Sequence, residues 1–425
     1  MIKSIRSLMA CCFITGAWLI PQPGMAGLAI SKISEEFRAG GGMPSALSPS
    51  PDGTYFFTVN YEYGGSQGAL YEFDPVSGFI DEVSRLNDIY VPFRPNVDGM
   101  ISDGNGDTPK YYGTTFYDGA YGNGSIFEFD YDTFDLSIKA SFTGSNGNGP
   151  NSRLTSAGNG KYYGTTVIGG ANNLGAIFEF DPNSTESITL KASFATSTGE
   201  LPFASLTAAG NGKYYGTTYR GSAYDKGGVF EFDSATGSIT LKDSFNGVNG
   251  ARPTAALTSA GNGKYYGTTF QGGANGFGGV FEFDSATGFI ALKDSFDGPN
   301  GFGNDSSALI AAGNGKYYGT TNLGAVNDFA RVVYEFNAAT GKIRIQDSFD
   351  SPSFYTSAFI AAGDGTYLAT AQFELYLGDD QYRYESFVIQ FNPAPGPLPV
   401  FGIGVAFGWS RRLRLRVGQT SATLA

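Results

Sequence analysis

The chain has 425 residues, 62 of them glycine, with 15% aromatic and only 16% charged residues and a formal net charge of −12. Glycine at about twice its usual share but without a three-residue period excludes collagen, and Phe and Tyr recurring at fixed positions exclude a disordered chain. There is no histidine, and both cysteines, Cys11 and Cys12, fall in an N-terminal apolar run; His-based triads, imidazole bases, most zinc sites and disulfides are therefore excluded from the folded part.

Residues 1–26 read as a secretory signal peptide: Lys3 and Arg6 form a basic start, residues 8–20 an apolar centre, and Gly24, Met25 and Ala26 a small-x-small exit. A buried N-terminal helix and a lipoprotein box around Cys11 are the other readings of this stretch. Setting Lys3, Arg6 and the four arginines at 411, 412, 414 and 416 aside from a total of −12 leaves −18. Such a charge repels phosphate backbones, so no nucleic-acid partner is expected.

The body of the chain repeats. Gly-Asn-Gly-Lys-Tyr-Tyr-Gly-Thr-Thr is complete at 158–166, 210–218, 261–269 and 313–321, with a longer variant at 104–115 and degenerate copies at 51–59 and 363–371. The residue before the first aromatic falls at Thr54, Lys110, Lys161, Lys213, Lys264, Lys316 and Thr366, so the spacings are 56, 51, 52, 51, 52 and 50. Each unit divides into four short strands. In the copy from Leu206, residues 206–209 are the first, and Asn211-Gly212 supplies the two positive φ values of a tight hairpin. Residues 214–218 are the second strand and 229–233 the third, where Phe230 and Phe232 share one face and Glu231 takes the other. A turn at 234–237 leads to the fourth, 238–245. Seven units of about 51 residues with four strands each predict an all-β, seven-bladed β-propeller spanning residues 27–392.

The last unit lacks its fourth strand after Phe391-Asn392, while a matching segment, residues 30–37, precedes the first. That N-terminal segment is expected to close the ring as the outer strand of the seventh blade, removing an open edge. Residues 393–397 form a Pro-rich linker, and residues 398–425 hold a short apolar stretch followed by Arg411, Arg412 and Arg414. This stretch is shorter than the roughly 20 residues of a spanning helix, but its position suits a stop-transfer or sorting signal with transient membrane contact.

The Tyr-Tyr-Gly-Thr-Thr, Gly-Gly-Ala-Asn and Gly-Val-Phe-Glu-Phe elements, best seen at 162–180 and 265–283, are similar to the GloVer tandem repeat of bacterial secreted proteins. The resemblance covers most of residues 43–392 and weakens at the ends, where Phe57 and Ala369 replace the glycine. It implies an exported protein with interchangeable C-terminal anchors and brings no catalytic residues. The tail, with Pro395, Gly396 and Pro397 before its apolar run and arginines, resembles the PEP-CTERM sorting signal, departing from Pro-Glu-Pro at Gly396. That resemblance implies an exosortase-type sorting enzyme as partner and the cell envelope or extracellular space as destination.

The repeated residues read as blade geometry, because one active site does not need its residues in every blade. Gly164, Gly216, Gly267 and Gly319 are expected to let backbones approach. Glu128, Glu179, Glu231, Glu282 and Glu335 suggest a carboxylate pair of the glycosidase kind, yet Lys191, Lys242 and Lys293 on the next strand make cross-strand ion pairs the simpler reading. The loop at residues 297–305 is oxygen-rich and suits calcium, but its spacing matches no EF-hand. No cofactor is expected, and calcium is the one candidate ion. The turns at Asn211 and 234–237 belong on one rim; the variable loops, residues 219–226 in one blade and 374–384 in the last, belong on the other. Tyr219, Arg220, Tyr224, Asp225 and Tyr382 are the ligand-face candidates, suited to stacking on and hydrogen-bonding a polysaccharide or surface protein. The expected function is a non-catalytic binding or structural module of the cell envelope or extracellular matrix. A polysaccharide hydrolase or lyase with carboxylates on the propeller axis is the alternative.

Overall fold

The computed structural model describes residues 29–34, 43–59, 68–85, 99–298, 301–303, 308–321, 331–349, 354–378 and 381–393. The expected signal peptide and the tail with Pro395, Gly396, Pro397, Arg411, Arg412 and Arg414 lie outside the described residues, as does part of the calcium-type loop. Seven antiparallel sheets follow one another along the chain. Blade 4 shows the pattern: strands Thr207–Gly210, Lys213–Thr218, Gly228–Asp233 and Ser238–Ser244 lie side by side in chain order. The protein is a closed seven-bladed β-propeller, with no helix among the described residues.

Alternation on the middle strands supplies both faces of each blade. Tyr214 and Phe232 meet Tyr163 of the preceding blade at 5.1–5.4 Å between centroids for the closest pairs, while Tyr215 packs edge-on against Tyr265 and Phe283 of the following one at 5.1 and 5.0 Å. The apolar core is thus divided into seven seams, one between each pair of neighbouring blades. Burial of aromatic rings drives assembly here, and T-shaped contacts fix how blades tilt.

The glycine of Tyr-Tyr-Gly-Thr-Thr serves a ring, which corrects the expectation of backbone approach. Gly216 lies opposite Phe230, and a Cβ there would stand 2.4 Å from the Phe230 ring. Gly113, Gly164 and Gly267 make room for Phe127, Phe178 and Phe281 in the same way. The end blades show the complementary solution. Phe57 faces Tyr71 as a stacked pair 5.6 Å apart, and Ala369 faces Ile389, which has no ring to accommodate.

The threonines tie blades together. Thr165 and Thr217 donate from Oγ1 to the carbonyls of Ala204 and Ala255 in the next blade, at 3.1 and 3.5 Å. Nearer the axis, Thr155 and Thr207 donate to the carbonyls of Leu206 and Leu257, each at 2.7 Å. Glycines 147, 199 and 250 on the connectors sit over Thr166, Thr218 and Thr269, where any Cβ would collide with the threonine side chain.

Ring closure follows the sequence expectation. Ala29–Lys32 pairs antiparallel with Gln381–Asn392, from Ala29 opposite Asn392 to Lys32 opposite Ile389. Ile33 N–H then donates to the Val388 carbonyl at 3.0 Å, and Val388 N–H to Ser34 Oγ at 2.7 Å. The seam between the last and first blades joins Leu368 and Val388 to Leu47, Tyr55 and Phe57. One expectation is corrected in the last blade: within the expected variable loop at 374–384, residues 374–378 and 381–384 are strand. Strands Tyr367–Gly378 and Gln381–Asn392 continue as one long hairpin, with pairing out to Gly378 and Gln381. An aromatic-rich run with no proline lets the ladder extend past the ring.

Candidate binding rim

The two rims differ in kind. On the lower one, Asn211 and Gly212 hold positive φ values of 53° and 72°, and Ser234 N–H donates to the Gly212 carbonyl at 2.9 Å. This links the turn after strand one to the turn after strand three. Ser285 with Gly263 and Ala338 with Gly315 repeat that link in the next two blades. On the upper rim, the loops between strands two and three of blades 3, 4 and 5 lie against the connectors on both sides. In blade 4, Arg220 and Glu200 exchange backbone hydrogen bonds of 3.2 and 2.8 Å, and Arg252 N–H donates to the Lys226 carbonyl at 2.9 Å.

The sequence-derived candidates separate into three settings. Tyr219 is half-buried, edge-on to Phe203 at 5.4 Å and covered by the Arg252 guanidinium at 5.4 Å from its centroid. Arg220 beside it is exposed, and Tyr224 stands at the loop tip with 59% of its surface free. Asp225 closes its own loop, since Oδ1 accepts the Gly221 N–H at 3.0 Å, as Asn173 accepts that of Gly169 in the previous blade. Tyr382 is not brought to this place; it lies opposite Tyr376 in the hairpin of blade 7. Sequence reasoning missed Arg252 and Phe203, which come from connectors of two other blades. It also missed Tyr117 and Tyr121, 51% and 64% exposed on the equivalent loop of blade 2. That loop is pinned by Asp118, whose carboxylate accepts hydrogen bonds from Ser125 Oγ at 2.6 Å and from Thr115. Burial pushes the Asp118 carboxyl up, and these hydrogen bonds offset the rise only in part.

The repeated glutamates are structural. Glu231 accepts from Lys213 Nζ at 2.5 Å and from the Tyr215 hydroxyl at 2.9 Å, with Lys242 Nζ at 3.7 Å. Lys242 is the extra residue of a β-bulge, since Val229 pairs with Asp243 and Phe230 with Leu241; the bulge turns its ammonium toward the carboxylate. Blades 2, 3 and 5 build the same cluster on Glu128, Glu179 and Glu282. Burial alone would raise Glu231 and Glu282, but hydrogen bonds from lysine and tyrosine, together with the lysine charges, hold both below the usual value. Blade 1 lacks the lysine. There Glu72 accepts from Thr54 Oγ1 at 2.7 Å, and burial together with the charges of Asp52, Asp81 and Asp74 raises its carboxyl.

The seven innermost strands are short and carry Ser48–Pro49, Ile101–Ser102, Thr155–Ser156, Thr207–Gly210, Thr258–Gly261, Ile310–Gly313 and Ile360–Ala361. None of these strands contains an ionisable side chain. Among the described residues, no group of three or more His, Cys, Asp or Glu could hold a metal ion.

The repeat family described as Gloeobacter/Verrucomicrobia repeat matches residues 43–263 and again 210–375. No curated protein matches the chain. Among solved structures, the chain is similar to the extracellular domain of a one-component system from B. thetaiotaomicron, with a TM-score of 0.54 at 12% identity. The match covers 84% of this chain but only 40% of that one. An oligogalacturonate lyase in complex with manganese has a TM-score of 0.50 at 10% identity, over 87% of this chain and 99% of the lyase. At such identities the likeness extends to the propeller fold alone.

Proposed function

The chain belongs to the Gloeobacter/Verrucomicrobia repeat family, and from that starting point we propose that it is an exported, non-catalytic binding module that holds a glycan or protein through its upper rim. One observation carries this reading. In blades 4, 5 and 6 the lower rim repeats the same linked turns, whereas the upper loops differ and expose Tyr117, Tyr121 and Tyr224 at 51%, 64% and 59%. Large amphipathic rings on loops over a rigid frame supply contact area at low ordering cost. At the other end Val76 and Phe79 are exposed in one turn of blade 1, with Phe134 and Phe289 in two other blades, scattered as on any surface. An axial hydrolase or lyase would need paired carboxylates, and innermost strands without ionisable side chains favour the binding role over it.

Export is supported by the basic and apolar N-terminal segment, and by the extracellular setting of the B. thetaiotaomicron domain. In this reading the tail directs sorting to the envelope by an exosortase-type enzyme, and binding needs no cofactor. The test is the thermal melt of the exported protein with calcium and with neutral and acidic polysaccharides. A ligand at a hundredfold its dissociation constant adds about 2.7 kcal/mol, and replacing Tyr117, Tyr121 and Tyr224 by Ala should abolish the shift without changing the ligand-free melt. A shift that survives the triple replacement would place binding elsewhere.

A further inference from the structure

Cations are distributed unevenly over the described residues. Ten lysines, from Lys110 to Lys342, sit within 4 Å of a carboxylate. Arg220, Lys226 and Arg252 do not. Lys226 Nζ donates to the Asn246 carbonyl at 2.9 Å, and the Arg252 guanidinium lies over the Tyr219 ring. Lys226 and Arg252 share the junction of blades 4 and 5, where Arg252 N–H is bonded to the Lys226 carbonyl, and Arg220 follows Tyr219 in the same blade 4 loop. We infer that this junction of blades 4 and 5 is a subsite for the carboxylates of an acidic, uronate-bearing glycan. The inference rests on the upper-rim binding role and names its ligand class.

The backbone supports a built arrangement. Arg252 has φ of 56°, a left-handed conformation that favours glycine. Gly149 holds the matching place one residue before a proline in an earlier blade, with φ of 65°. Leu201 shares the conformation at φ 55°, so strain alone does not single out Arg252. What does is the guanidinium held over the Tyr219 ring at 5.4 Å, a charge with no carboxylate partner within 4 Å among the described residues and a fork of N–H groups suited to bidentate carboxylate binding. Tyr224, exposed at the tip of the same loop, offers an apolar platform for a sugar face.

The anions nearby favour a glycan over an acidic peptide. Glu200 and Asp225 belong to the same loop and connector. Sugar hydroxyls can donate to these carboxylates while the uronate groups turn to Arg220, Lys226 and Arg252. An acidic peptide, charged at each residue, would set its side chains against them. The overall acidic surface disfavours a polyanion as dense as nucleic acid, but a polyuronate spaces its charges one per sugar.

The sibling blades supply replacements that suit each position. Gln271 matches Arg220, Leu174 matches Lys226 and Gly149 matches Arg252, as the equivalent backbone hydrogen bonds show. The experiment compares binding of alginate, of its neutral glycol ester and of polyglutamate to the full exported protein and to an R220Q/K226L/R252G variant. The expected result is binding of alginate, little binding of ester or polyglutamate, and about tenfold weaker alginate binding by the variant at an unchanged melt, since three partly exposed charge contacts are removed. Should the triple variant fold poorly, Arg220→Gln alone, at an exposed side chain, should still weaken binding about twofold to fivefold. Equal binding of alginate and ester would overturn charge recognition while leaving the rim role intact. Preference for polyglutamate, or alginate binding untouched by the variants, would also overturn it. Binding of none of the three would overturn the inference, while any other glycan or protein whose binding is lost on replacing Tyr117, Tyr121 and Tyr224 would keep the rim role.

Discussion

Replacing Gly216 by Ala tests what the repeated glycine does. The added Cβ would stand 2.4 Å from Phe230 Cζ, 2.8 Å from Cε1 and 3.2 Å from Leu206 Cδ2, against roughly 3.5–4.0 Å for an ordinary carbon contact. The Phe230 ring has no free direction, being fully buried and edge-on to Phe194 at 4.9 Å. Alanine restrains the unfolded chain and gains about 0.5–1 kcal/mol in a strand, whereas overpacking a tight core costs about 1–3 kcal/mol. The net expectation is a loss of about 1–2 kcal/mol, read from urea denaturation followed by circular dichroism. Phe230→Ile alone leaves a cavity and also destabilises. The double variant rebuilds the Ala369–Ile389 pair of blade 7 and should lose clearly less than the two single losses combined. A Gly216→Ala protein as stable as the parent, or a strictly additive double variant, would refute the ring-clearance argument.

Further outcomes follow from the same frame. Tyr334 fills a phenylalanine position in blade 6, and its buried hydroxyl has no hydrogen-bond partner among the described residues; Tyr334→Phe should stabilise by about 1 kcal/mol, and a lower denaturation midpoint would contradict this. Glu231 is held below its usual value, so its stabilisation is present above the ordinary carboxylate range and is lost as pH falls through its folded pKa. Glu231→Gln should therefore cost about 1 kcal/mol at neutral pH, water-screened lysines limiting the effect, with the gap closing in acid. Glu72 is raised, so its contribution has the opposite sign, fully present in acid and lost as pH rises through its folded pKa. Glu72→Gln should be the more stable protein at neutral pH and converge with the parent in acid; a parallel pair of pH profiles would refute the contrast. Deleting the chain through Ser34 removes the outer strand of blade 7 and should yield an unstable or self-associating protein by light scattering; a monomer of undiminished stability would refute ring closure.

Local signals in the sequence carried most of the frame. The period, the Asn-Gly turns, the Phe-Glu-Phe alternation and the displaced fourth strand each depend on residues close in the chain, and each led to the right element. The missed features all depend on what stands opposite. Gly216 takes its reason from Phe230 across the ladder, and Glu231 gains Lys213 and Tyr215 as well as the Lys242 that sequence spacing suggested. On the rim the difference is larger. Tyr219 and Arg220 were legible as an unusual loop, but Phe203 and Arg252 reach Tyr219 from connectors on either side. Asp225 looked like a ligand group and closes a turn, a role visible only through its contact with Gly221.

The seven-seam core explains why the two rims are free to diverge. Each seam is built by the middle strands, where Tyr, Gly, Thr and Phe are repeated because every blade must fit the next. A change in one of these positions is answered by its partner within the same seam, as Phe57 with Tyr71 and Ala369 with Ile389 demonstrate. The upper loops contribute few residues to any seam, Leu174 of blade 3 being one, and so Tyr and Arg can enter blade 4 where Val and Ile stand in blade 3 without changing how the blades pack. Ligand recognition built on the seam residues would be copied sevenfold and locked to stability. Built on one junction of the upper rim, it can be altered residue by residue on an unchanged ring.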